Sequence, residues 1–107
     1  MADGETGKPW TDAEIAVAVN SYFRMLAWQL DDREFVKAEV RHDVMALLPA
    51  RSEKSVDLKW CNVSAVLNES KLLWLTGFKP LPHVQALLRT AVADWLDQNP
   101  AMKARLE

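Results

Sequence analysis

The 107-residue chain holds a single cysteine and three glycines. One thiol excludes an internal disulfide framework. So few glycines disfavour an enzyme built on phosphate-cradling loops, and no Gly-x-Ser-x-Gly, Walker or dinucleotide-binding pattern occurs. No apolar run approaches the roughly 18 residues a membrane span needs. Met1 to Pro9 is polar and acidic, so no signal peptide is expected, and the default compartment is a reducing cytoplasm. Charge of one sign is also lacking: 13 Lys and Arg stand against 15 Asp and Glu, a formal net charge of −2. His42 and His83 have no Cys or acidic neighbours at zinc-ligand spacing, so neither a metal site nor a cofactor is expected. Cys61 reads as a small packing residue. Asp31-Asp32 and Asp94-x-x-Asp97 read as helix ends and solvated faces rather than as catalytic carboxylate pairs. With no catalytic constellation, an enzyme is not expected. The Asn62-Val63-Ser64 and Asn68-Glu69-Ser70 sequons lie on a predicted helix of a chain with no expected export signal, which argues against glycosylation.

What the chain does have is tryptophan, five in all, and half of its residues are hydrophobic. A short chain needs such large side chains to close a core. The pattern predicts a compact all-α domain of four or five helices over residues 10–99, a disordered lead at 1–9, and a charged tail or linker start at 100–107. Thr11 and Glu14 form a capping box, flanked by Trp10 and Ile15 at the staple positions, and the first helix runs to about residue 30. A second helix is expected at about 33–48, stopped by Pro49. A third is expected at about 53–69, with Ser52 as N-cap and Ser55 as the alternative. Leu72 to Leu75 reads as a helical extension or a short extended piece, and Gly77-Phe78-Lys79-Pro80 as a turn. Pro82 suits the first position of a fourth helix that ends at Asn99-Pro100. The short turn between the second and third helices is compatible with a helix-turn-helix unit or with an ordinary helical hairpin.

Arg51-Ser52-Glu53-Lys54-Ser55-Val56-Asp57-Leu58-Lys59, then Asn62-Val63-Ser64-Ala65-Val66-Leu67, then Gly77-Phe78-Lys79-Pro80 form a distinctive series. With Trp10-Thr11-Asp12-x-Glu14 and Tyr22-Phe23-x-Met25-Leu26, it resembles the N-terminal helical module of bacterial restriction-type HNH endonucleases and related defence proteins. The resemblance spans about residues 10–92. It departs at Phe78, where Tyr is usual, and at Ser70, where a glycine helix stop is usual, so a different ending of the third helix is expected. The resemblance implies a DNA-associated or targeting module without its own catalytic centre, working beside a covalently linked or separate nuclease effector.

Charge distribution gives that implication modest support. Residues 1–34 carry three basic and seven acidic groups, whereas residues 35–80 carry seven basic and five acidic. Ser55, Lys59 and Asn62 are spaced i, i+4, i+7 on one face of the third helix, with Arg51 and Lys54 at its electropositive N-terminus. In a complex with double-stranded DNA, modified or not, Arg51, Lys54, Ser55 and Lys79 would take phosphates, and Lys59 and Asn62 would read base edges. The other roles open to these residues are a solvated helix face for the lysines and, for Asn62, bonds that fix the following loop. A second functional reading is a protein-interaction or dimerisation module, in which Met25, Trp28, Trp74 and Phe78 line an apolar groove rather than a second core layer.

Overall fold

A computed structural model describes residues 8–107. The expectation of a disordered lead falls mainly on residues 1–7, which lie outside the described residues. Five helices and no strands occur among the described residues: α1 (Asp12–Leu30), α2 (Lys37–Leu47), α3 (Glu53–Glu69), α4 (Ala86–Gln98) and α5 (Pro100–Leu106).

α1 begins where its sequence says it should. Thr11 Oγ1 accepts from the Glu14 N–H at 3.2 Å, and Glu14 Oε1 accepts from the Thr11 N–H at 2.9 Å. The helix buries Ile15, Ala18, Val19, Tyr22, Phe23, Met25 and Leu26, and it packs on α4, α3 and α2. Phe23 stacks flat on Trp95 of α4 with centroids 3.9 Å apart, which ties the first helix to the fourth. α3 also has an expected start, with the Ser52 side chain accepting from the Ser55 N–H at 3.1 Å. Its Trp60 is fully buried, and the indole N–H is satisfied by the Ala18 carbonyl and Ser21 Oγ.

The connection over residues 70–85 is not helical. Its backbone visits the left-handed region at Lys71 (φ 60°), Gly77 (φ 97°) and His83 (φ 66°). Lys71 does what a glycine would do at the end of α3: the Leu72 N–H turns back to the Leu67 carbonyl at 2.8 Å. Leu72, Leu75 and Phe78 then drop into the core. Phe78 meets Trp60 edge-on at 5.3 Å. Gly77 is favoured by its positive φ; the Lys37 ammonium, which donates to the Thr76 carbonyl, stands where a β-carbon would lie and would have to swing aside. At the centre, Tyr22 Oη lies 2.7 Å from Ser64 Oγ and accepts the Leu75 N–H at 2.9 Å, so one hydroxyl holds α1, α3 and the connection together.

Three boundaries differ from expectation. α2 starts at Lys37, not near residue 33, because Asp32 is left-handed (φ 53°) and the Arg33 N–H closes the end of α1 on the Trp28 carbonyl. α4 starts at Ala86, not at Pro82, because the left-handed His83 interrupts the helical path. Residues 100–106 form α5 rather than a tail: Pro100 stops α4 and opens α5, Leu106 is buried, and the Leu73 N–H bonds to its carbonyl.

Candidate interaction surface

The six residues expected to contact DNA meet different fates. Arg51 is 6% exposed. Its guanidinium forks onto both Glu14 carboxylate oxygens at 2.8 and 3.1 Å and donates to the Lys8 and Pro9 carbonyls. Lys59 is also buried, and its Nζ donates to Gln85 Oε1 at 2.7 Å. Both cations approach the same buried ring: Arg51 Cζ lies 5.0 Å and Lys59 Nζ 4.9 Å from the Trp10 centroid. The structure therefore brings Arg51 and Lys59 together, but around Trp10 rather than on an open face. Ser55 is buried in the cap of α3 and donates to the Ser52 carbonyl. Arg51, Ser55 and Lys59 were expected to take phosphate and base-edge roles; the structure places all three on internal partners, which a ligand would have to displace. Asn62 Nδ2 donates to the Leu81 carbonyl at 2.9 Å, and the Leu81 N–H donates to the Cys61 carbonyl. That is the loop-fixing role. Lys54 and Lys79 alone are exposed and make no ion pair among the described residues.

The outward side of α3 is correspondingly weak as a nucleic-acid surface. Glu53, Asp57 and Glu69 accompany Lys54 there, with Asp57 held by Arg41 and Glu69 by Arg89. Exposed Leu58, at 38%, and Leu81, at 37%, add apolar area to it. The hydrogen bonds from Arg89 hold the Glu69 carboxyl below its usual range. Burial, reinforced by Asp57, pushes the half-buried Cys61 thiol up, away from the thiolate a reactive cysteine needs. Likewise, the hydrogen bonds from Arg51 are the main cause that holds the Glu14 carboxyl low. Among the described residues no three His, Cys, Asp or Glu side chains gather where a metal ion could sit, and no helix is long and apolar enough to cross a membrane.

The aromatic residues considered for a groove also separate. Met25 and Phe78 are core. Trp28 and Trp74 are half-buried and line different depressions. Trp74 faces Leu73, Arg105 and the end of α5. Trp28 sits at the corner between α1 and α2, beside Phe35 (centroids 5.4 Å apart, tilted 46°), with Arg33 Cζ 5.0 Å from its ring centre. That corner holds a depression of about 230 Å³ rimmed by Val36, Glu39 and Asp43. Of this group the sequence marks only Trp28, which stands off the main apolar stripe of α1. The i, i+3, i+4, i+7 spacing of Val36, Glu39, Val40 and Asp43 is the signal that could have added the rest.

No family model matches the chain, and neither a curated protein nor a solved structure is detectably similar to it.

Proposed function

We propose that this chain is a non-catalytic protein-interaction module, docking an effector or a second copy of itself. The resemblance in its motifs supports placing it within a bacterial restriction or defence protein. One observation carries the reading. Arg51 and Lys59, the cations that would anchor a duplex to α3, are engaged by Glu14, Gln85 and Trp10, while two tryptophans remain half-buried over separate surface depressions. Partly buried aromatics beside a depression suit protein contacts, whereas an overall acidic chain repels phosphates.

DNA recognition is the second reading, and exposed Lys54 at the first turn of α3 together with exposed Lys79 favours it. Anisotropy titrations of labelled duplexes, plain and base-modified, separate the two. The interaction reading expects no salt-sensitive binding at low ionic strength. Binding that weakens with salt and disappears in a Lys54→Ala/Lys79→Ala variant would establish the DNA reading instead. Sedimentation velocity over a concentration series then tells a second copy from a separate effector.

A further inference from the structure

We infer that the α1–α2 corner docks a segment of a partner protein that presents an apolar side chain flanked by lysine or arginine. This inference rests on the interaction reading above and names the chemistry of the partner.

The corner combines an aromatic floor with an unsatisfied acidic rim. Trp28 and Phe35 form the floor. Val36 stands at the edge, 53% exposed, as the N-cap residue of α2, where its side chain makes no capping bond. A β-branched apolar residue is a poor N-cap, so the helix itself does not explain its presence there. Glu39 and Asp43 come next on the same helical face, and Glu34 lines the depression from the linker. None of these three carboxylates has an ion pair among the described residues; Asp12, Asp32, Glu53, Asp94 and Asp97 share that state, but only at this corner do three such groups line one depression beside half-buried aromatic rings. Against three carboxylates the site supplies one cation of its own, Arg33, and that guanidinium already lies over the Trp28 ring. The excess charge is therefore negative, and it is the carboxylate rim that is open to a partner's cation. A nucleic acid or an anionic lipid surface would be repelled. A basic segment is attracted by the rim and buries an apolar side chain against Val36 and Phe35.

The test uses the whole chain and two short capped peptides, Lys-Leu-Leu-Lys-Lys-Leu and its counterpart with Glu for Lys, with binding monitored by NMR. The basic peptide is expected to shift the Trp28 indole N–H and the Val36 methyls, and the acidic one to leave them unmoved. Val36→Ser keeps a competent N-cap, so the fold persists while the apolar rim is lost; affinity should fall by about fivefold or more. Glu39→Gln/Asp43→Asn should weaken binding and flatten its salt dependence. Shifts that map away from the corner, equal response to both peptides, or unchanged binding in both variants would overturn the assignment. Absence of any peptide response alongside absence of duplex binding overturns the corner alone. Salt-sensitive duplex binding overturns the interaction reading on which it rests.

Discussion

Removing one oxygen at Tyr22 should destabilise the domain far more than its mass suggests. Tyr22→Phe preserves the ring, its edge-on contact with Phe23 at 5.6 Å and nearly all of the side-chain volume. It deletes the acceptor of the Leu75 N–H and the partner of Ser64 Oγ, both at fully buried residues. An orphaned buried donor costs about 1–3 kcal/mol, and the lost hydroxyl pair about 1 more. The expected loss is therefore about 2–4 kcal/mol, or a drop in Tm of roughly 10 °C or more for a domain of this size. Urea unfolding monitored by tryptophan fluorescence reads this directly, with an unchanged slope showing that only stability moved. Ser64→Ala added to Tyr22→Phe removes one of the two orphans, so the double variant should be less destabilised than the two single losses summed. A loss below about 0.5 kcal/mol would refute the claim that this hydroxyl joins three parts of the chain. The same group makes a pH prediction. Burial pushes its pKa up to about 12. A folded value above the unfolded one, near 10, means that the contribution is complete below about pH 10 and is lost as pH rises towards 12. Tyr22 is the only tyrosine in the chain, so tyrosinate absorbance reports this group alone. It should appear late and together with unfolding, and a simple titration near 10 in the folded protein would contradict the burial argument.

Arg51→Lys keeps the charge but loses the fork onto Glu14 and the reach to the Lys8 and Pro9 carbonyls, and should cost about 2–3 kcal/mol in urea unfolding. A neutral result would return Arg51 to the pool of ligand-binding candidates. Because Arg51 depresses the Glu14 carboxyl, the stability from this pair is present above the unfolded carboxylate range and is lost as pH falls through the lower folded value. Urea midpoints measured on acidification should therefore fall more steeply in the native chain than in Glu14→Gln. Leu106→Ala should cost about 2–4 kcal/mol, since Leu106 is 3% exposed; a true tail would show no effect. Gly77→Ala should cost about 1–2 kcal/mol through its positive φ, again by urea unfolding.

The starts of α1 and α3 were legible because their signals are local. Thr11 with Glu14, and Ser52 with Ser55, lie within one turn of the bonds they make, and α3 runs over the expected residues. The misses share a cause, since proline and the acids mark a break in a helix without specifying the conformation beyond it. Pro100 reads as an ending, yet its fixed φ and missing N–H also suit the first position of α5. Asp32 and His83 adopt left-handed backbone that no proline or glycine announces, so α2 and α4 begin four residues later than their apolar patterns suggest.

Side-chain partners were much less legible than helix positions. Lys59, Arg51 and Asn62 share a helical region, and their spacing identifies that correctly. Their partners lie elsewhere: Gln85 is 26 residues from Lys59, Glu14 is 37 from Arg51, and Leu81 is 19 from Asn62. A cation on a helix looks the same in sequence whether it awaits a phosphate or holds a tryptophan. The deciding quantity is what the fold sets within about 5 Å of it. Three of the six candidate DNA residues become buried for this reason, and only Lys54 and Lys79 remain exposed without an ion pair among the described residues. A separate group of carboxylates without ion pairs among the described residues, Glu34, Glu39 and Asp43, lines the depression beside Trp28. Paired carboxylates are silent towards a partner because their fields are already cancelled. The carboxylates that the fold leaves unpaired next to exposed apolar surface are the ones able to choose one.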